Sequence, residues 1–486
     1  MKRETTHRAA ARQIPLVVLL AILLLFALAM GVSAAGCGSA DTTTTSASSP
    51  ETTAPVSAPP ADQAQVDRLT ERALDLVGLL AAGRYLDAHQ TFDDTMKAAL
   101  PPESVEEVWT ALLQQVGVYE GPSAVRSESV GEHTAIIVQT EFEQAPIDIR
   151  VVYGDDERVA GLFFQPAQIT QESPPYADPA AFTERVITVG SGPWELPGTL
   201  TLPVGEGPFP ALVLVHGSGP NDRDETLGPN KPFRDLAEGL AAAGVAVLRY
   251  DKRTLRYAEA MATEEDITVR EETVDDALAA VEALRALPEV SEGDIFVLGH
   301  SLGGMLVPRI GLDDPDIAGF VVAAGAARPL EDLILEQTRY LFSLEQKTPG
   351  AEQRAALAAL EAQVERVKDP DLSAETPAAE LPLAIPVAYW LDLRGYDPPV
   401  AARELGRPLL IIQGGRDYQV TEADFALWEK ALAGEAGVEL ILYPELNHLF
   451  MPGEGPPRPT EYLRPGHVAG QVVRDIARFL LANTGR

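Results

Sequence analysis

Apolar residues recur at helical spacing through Val66, Leu69, Ala73, Leu76, Val77 and Leu80, which predicts an amphipathic helix. Arg84 to Leu100 and Pro102 to Val116 predict two further helical stretches, punctuated by Pro101 and Pro102. The period then changes to two. Ile147, Ile149, Val151 and Tyr153 alternate with Asp148, Arg150 and Val152, the pattern of a half-buried strand. His133 to Phe142 and Arg158 to Phe164 are neighbouring strand candidates, with Gly154-Asp155-Asp156 as a hairpin turn. Helices followed by an antiparallel meander predict a small α+β domain over residues 64–166. The proline-rich stretch 167–180 then reads as a linker.

From residue 181 a different grammar begins. Phe182 to Pro203 predicts a β-hairpin, and Ala211 to Val215 is a continuous apolar run, as expected of a strand buried on both faces of a mostly parallel sheet. Phe233 to Ala243 is a helix closed by Gly244, Val245 to Tyr250 a strand, Glu271 to Leu287 a helix and Ile295 to Leu298 a strand. Ala318 to Ala324 is another. Strand, helix, strand, helix is the signature of right-handed βαβ crossovers. The alternation stops over about 327–405, where Leu330 to Gln346 and Ala351 to Lys368 read as helices of an inserted cap. It resumes with the strands Pro408 to Ile412 and Val438 to Tyr443, and a last helix from His467 to Leu481.

The first 63 residues belong to neither pattern. Lys2, Arg3, Arg8 and Arg12 precede an apolar run from Ile14 to Met30 and the small residues Ser33-Ala-Ala-Gly-Cys37, the layout of a secretory signal over residues 1–36. Ala34-Ala35-Gly36-Cys37 resembles the bacterial lipobox, with Ala34 where leucine is usual; the resemblance implies lipid attachment at Cys37. A run of this length also suffices for an uncleaved membrane anchor. Both readings place the protein outside the cytoplasmic membrane and tethered to it. Residues 37–63, rich in Thr, Ser, Ala and Pro, cannot bury enough apolar surface to offset ordering entropy and read as a disordered tether.

Cys37 is the single cysteine, so the chain can form no internal disulfide and no cysteine-rich metal site. A formal charge of −34 argues against a nucleic-acid partner, because phosphates would be repelled. No metal or organic cofactor is expected.

The chemistry gathers where predicted strands end. Gly299-His300-Ser301-Leu302-Gly303 follows a strand and precedes a helical run, the context that the Gly-x-Ser-x-Gly nucleophile elbow requires. Asp417 follows the strand ending at Ile412, and His448 follows the strand ending at Tyr443. Nucleophile, acid and base thus occur in the order Ser, Asp, His used by α/β-hydrolases. Rival residues are Asp251, Asp424 and Glu445 for the carboxylate and His467 for the base. By position, Ser218 in the loop after Val215 and Leu302 after the nucleophile supply the two oxyanion N–H groups, and His216 braces the loop. His89 and His133, isolated in the small domain, read as structural.

With this set in place, residues 181–486 resemble the α/β-hydrolase superfamily. The runs His216-Gly-Ser-Gly-Pro-Asn-Asp-Arg-Asp-Glu225, Pro229-Asn-Lys-Pro232 and Arg249-Tyr-Asp-Lys-Arg253 resemble exported bacterial carboxylesterases that carry a small nuclear-transport-factor-two-like domain before the hydrolase. The resemblance implies an α/β-hydrolase fold with a helical cap and hydrolysis of short to medium acyl esters, a small-molecule substrate, through an acyl-enzyme. An aminopeptidase, a thioesterase or a lactone hydrolase is open to the same three residues. From another class, a non-catalytic binding lipoprotein is the alternative, disfavoured by a complete and correctly ordered residue set.

Overall fold

The computed structural model describes residues 63–485 apart from 132, 168, 170–171, 262–265 and 346–348. The expected signal segment, Cys37 and most of the expected tether lie outside the described residues. Among the described residues, no helix is long and apolar enough to cross a membrane. The chain divides into two compact units between residues 169 and 170.

In the N-terminal unit, helix α1 (Gln63–Ala81) buries Leu69, Ala73, Leu76, Val77 and Leu80, the stripe its spacing predicts. The stretch expected as one helix over 84–100 is instead two, α2 (Tyr85–Gln90) and α3 (Asp94–Ala99). Between them the amide of Asp93 donates to the Val159 carbonyl and that of Val159 to Thr91, which breaks the helix, while the Asp93 carboxylate caps α3 by accepting from the Met96 amide at 2.6 Å. Helix α4 (Pro102–Val116) starts with proline in its first turn and ends at Gly117, whose φ of 84° favours glycine. Four strands, β1 (Tyr119–Val130), β2 (His133–Phe142), β3 (Ile147–Tyr153) and β4 (Val159–Pro166), form an antiparallel sheet in chain order. Trp109 of α4 packs its ring against Phe142 and Phe164 at 5.9 and 6.1 Å. Strand β1 was not expected. Most of its residues are exposed on a sheet edge, so it carries no period-two apolar signal.

The C-terminal unit is built on an eight-stranded sheet: β5 (Phe182–Val189), β6 (Leu196–Pro203), β7 (Phe209–Val215), β8 (Ala246–Tyr250), β9 (Val290–His300), β10 (Gly319–Ala323), β11 (Leu409–Gly414) and β12 (Val438–Tyr443). Their order across the sheet is β12-β11-β10-β9-β7-β8-β6-β5. The hairpin β5–β6 and the β6–β8 pair are antiparallel; the other pairs are parallel. Along β7 the side chains divide between two cores. Val213 and Val215 face helices α6 (Asp275–Arg285) and α7 (Leu302–Asp313), while Leu212 and Leu214 face α5 (Pro232–Ala242) and the last helix, Gly470–Ala482. Burial on both faces is why β7 reads as a continuous apolar run. Part of the expected linker belongs to this unit: Tyr176 packs on Gly239 of α5 so closely that a Cβ there would lie 2.8 Å from its ring.

The alternation breaks between β10 and β11, where α8 (Leu330–Glu345), α9 (Ala351–Lys368), α10 (Val387–Leu393) and α11 (Pro398–Glu404) intervene. This insertion has its own apolar centre of Ile334, Val367, Leu381 and Trp390. It docks through polar contacts as well: the Tyr396 hydroxyl donates to the Met305 carbonyl, Arg309 pairs with Asp392, and Gln337 donates to the Gln419 carbonyl.

Candidate active site

Strand β9 runs into Ser301, and α7 begins immediately after it. Ser301 adopts φ 55° and ψ −115°, a conformation unusual for a residue with a side chain. It is held there by two backbone bonds: its amide donates to Ala323 of the neighbouring strand at 2.9 Å, and its carbonyl accepts from Met305 at 2.9 Å. The flanking glycines answer to contact rather than flexibility. A Cβ on Gly299 would lie 2.2 Å from the Gly303 carbonyl oxygen, and one on Gly303 would lie 2.5 Å from that of Val215. Only glycine lets strand, turn and helix approach this closely, and the half-buried serine is presented at the sheet edge.

Asp417 sits three residues past β11 and His448 five past β12. Parallel neighbours end on the same side of the sheet, so both loops meet there. His448 Nδ1 donates to Asp417 Oδ2 at 2.6 Å, with both side chains buried. The carboxylate also accepts from the Gln413 side chain at 3.1 Å and from the amides of Gln419 and Val420 at 2.7 and 3.0 Å. Four donors fix it in place as a charged acceptor. The bond at Nδ1 leaves Nε2 of His448 as the basic nitrogen. The His448 loop is itself braced by Asn447, whose side-chain oxygen accepts from the amides of Leu449 and Met451.

His300, next to Ser301, joins the loops. Its Nε2 donates to the His448 carbonyl at 2.9 Å, and the two imidazole rings lie 4.6 Å apart. Its Nδ1 lies 2.9 Å from the Glu225 carboxylate, as an ion pair off the line of a hydrogen bond. Burial opposes charge on His300, but Glu225 beside it outweighs burial and the imidazole pKa is raised. In the same way, burial would raise the Glu225 pKa, but His300 prevails, helped by the hydrogen bond from the Gly217 amide, and lowers it.

The loop after β7 is tied down at nearly every polar atom. Gly217 donates its amide to Glu225 at 2.7 Å, and its carbonyl accepts from Lys252 Nζ at 2.7 Å. The Ser218 carbonyl accepts from Asn221 and that of Gly219 from Thr254. His216 Nε2 donates to the Asp222 carbonyl at 3.0 Å; burial pushes its pKa down to about 4, so the ring is neutral. Among the described residues, the amides of Ser218 and Leu302 meet no acceptor.

The structure therefore brings Ser301, Asp417 and His448 to one edge of the sheet, with Ser218 and Leu302 on the flanking loop and helix start. No hydrogen bond joins the Ser301 hydroxyl to a described residue; a base and nucleophile in a substrate-free site commonly stand this way. The rivals are engaged elsewhere: Asp251 with Arg223, Asp424 with Arg328, His467 with Asp235, while Glu445 is exposed. Sequence reasoning missed three residues around the site, Glu225, Lys252 and Glu272. Glu225 and Lys252 lie inside runs already singled out, and a buried charge beside a strand end is the signal they carried. Among the described residues, no group of three or more His, Cys, Asp or Glu is placed to hold a metal ion.

The chain belongs to the alpha/beta hydrolase family, which matches residues 212–463, and it resembles carboxylesterases. A second match, to a protein family of unknown function, DUF3887, covers residues 73–162. Esterase EstD of Thermotoga maritima is 39% identical over 412 residues, 85% of this chain and 95% of the relative. Solved structures with similar folds include an esterase of Pyrococcus furiosus, 17% identical with a TM-score of 0.40 over 66% of this chain and 98% of that one. Another is a dienelactone hydrolase of Anabaena variabilis, 18% identical with a TM-score of 0.37 over 62% and 99%.

Proposed function

We propose that this protein is a serine carboxylesterase for short to medium acyl esters, with Ser301 as nucleophile, His448 as base and Asp417 as its orienting acid. The observation that carries the reading is the buried 2.6 Å pair of Asp417 and His448, beside the loop that bears Ser301 at positive φ. The 39% identity to a named esterase, over 85% of this chain and 95% of that one, supports the substrate class. In this mechanism His448 Nε2 takes the Ser301 proton as Oγ attacks the ester carbonyl, and Asp417 stabilises the imidazolium. The amides of Ser218 and Leu302 receive the oxyanion. His448 then returns the proton to the leaving alcohol, and water attacks the acyl-enzyme by the same route.

Export and lipid attachment at Cys37 belong to the same proposal and rest on the basic, apolar and small-residue run before it. The deciding experiment is hydrolysis of p-nitrophenyl esters of graded chain length by native protein and Ser301→Ala. Cleavage that is fastest on short and medium chains and abolished by the substitution is expected. Inactivity on esters with turnover of aminoacyl amides or thioesters would transfer the reading to those substrates. For the anchor, Cys37→Ser should abolish incorporation of labelled fatty acid; unchanged labelling would overturn it.

A further inference from the structure

Among the buried charges that take no part in the proposed mechanism, one lies directly on the loop after β7. Lys252 is 2% exposed although it carries an ammonium. Its Nζ donates to the Gly217 carbonyl at 2.7 Å and to Glu272 Oε1 at 2.6 Å. The other Glu272 oxygen accepts from the Tyr389 hydroxyl at 2.7 Å, and Tyr389 belongs to α10 of the insertion. A continuous polar chain thus runs from the insertion to the loop after β7. A buried ion pair of this kind contributes little net stability compared with apolar packing, so its energetic purpose has to be sought elsewhere.

The purpose follows from which peptide it touches. The Gly217 carbonyl and the Ser218 N–H belong to one peptide unit, and that unit is trans. In a trans peptide the two groups point in opposite directions. An ammonium on the oxygen therefore aims the N–H away from Lys252, and by polarising the amide makes it a stronger donor. The preceding peptide is fixed independently, because the Gly217 N–H goes to Glu225. Asn221 Nδ2 also donates to the Gly217 carbonyl, at 3.3 Å, so with both peptides around Gly217 held, the Ser218 amide has one direction left to point.

We propose that Lys252, held by Glu272 and Tyr389, is a positioning residue that orients and polarises the Ser218 amide, so that docking of the insertion sets the strength of the oxyanion site. The inference rests on the esterase reading above. A donor preorganised toward developing charge acts on the transition state and hardly on the bound ester. Loss of the chain should lower kcat and leave KM nearly unchanged.

The test compares native protein, Tyr389→Phe, Lys252→Arg and the double variant Lys252→Met/Glu272→Gln, which leaves no unpaired charge. Each is assayed for kcat and KM on a p-nitrophenyl ester and for inhibition by an alkyl boronic acid, which mimics the tetrahedral oxyanion. The double variant should lose about 10- to 100-fold in kcat and a similar factor in boronate affinity, with KM within about threefold. Tyr389→Phe should lose about threefold to tenfold in the same two quantities, and Lys252→Arg should recover part of the loss. Tyr389→Phe keeps the ring and the ion pair, so it decides the matter if the double variant does not fold. Folded variants with native kcat and boronate affinity would overturn the role of Lys252, as would a rise in KM alone. If the native protein cleaves no ester, or Ser301→Ala cleaves as well as native, the esterase reading itself falls, an outcome read before any variant of this chain.

Discussion

Glu225 and His300 form an ion pair, 2.9 Å apart, with each side chain 8% exposed. Because Glu225 also takes the Gly217 amide and His300 also holds the His448 carbonyl, this pair connects the loops bearing the proposed oxyanion donor, nucleophile and base. Removing one partner of a buried pair leaves an uncompensated charge, which typically destabilises by about 3–5 kcal/mol. Glu225→Ala should therefore lower unfolding free energy by about that amount in urea titration, and Glu225→Gln by less, since the amide oxygen still accepts from Gly217.

Ser301, His448 and Asp417 should behave as one unit. Ser301→Ala and His448→Ala are each expected to lower kcat on the order of 10⁶-fold, and Asp417→Asn about 10⁴-fold. The double variant Ser301→Ala/His448→Ala should be no slower than either single one, which steady-state kinetics on a chromogenic ester can check. Full activity of His448→Ala would overturn its role as the base.

The neutral, buried His216 gives stability a pH dependence of known sign. Its pKa is about 4 in the folded protein against 6.5 ordinarily, so between these values the unfolded chain binds the extra proton. The contribution of this one ring should be complete above pH 6.5 and fall by about 3 kcal/mol as pH drops toward 4. His300 acts in the opposite sense: its raised pKa adds stability below pH 6.5 that is lost as pH rises through the folded value. His216→Phe, packed against Phe233 and Tyr250 as the imidazole is, should flatten the acid limb of unfolding free energy measured from pH 4 to 7.

The elbow glycines should tolerate no side chain. Gly299→Ala or Gly303→Ala forces a Cβ into backbone carbonyls that belong to a strand and a helix, not to a side chain free to move. Either substitution should destabilise by about 4 kcal/mol or more, or prevent folding, and abolish ester cleavage. Expression level and thermal denaturation would reveal an unexpectedly benign substitution.

Much of the C-terminal unit was legible because parallel strands buried on both faces leave short apolar runs such as Ala211 to Val215, bounded by turn residues and alternating with longer helical stretches. The candidates Ser301 and Asp417 stand out for the same reason, each following such a run, whereas His448 follows β12, a half-buried edge strand that is still apolar enough to read as a strand. Strand β1 was not legible, since an edge strand that buries little is written in polar residues. The break between α2 and α3 depends on a bond from Asp93 to Val159, far along the chain, and local periodicity carries no trace of it. The charge pairs around Gly217 are hidden in the same way. Lys252 and Glu272 are 20 residues apart and Glu272 and Tyr389 117 apart, so only folding reveals that they share a proton network.

The insertion between β10 and β11 has a further consequence. Its exit is stapled by Asp424, whose carboxylate accepts from the amides of Ala327 and Arg328 and pairs with the Arg328 guanidinium. Its return helix α11 occupies the place of an ordinary crossover between adjacent parallel strands. The pairing of β10 with β11 is made between Phe320–Ala323 and Leu409–Ile412, outside the excursion. Evolution can therefore vary the outer part of this excursion, around α9, and so change what the chemistry is applied to, as long as Tyr389 of α10 keeps its bond to Glu272 beneath it.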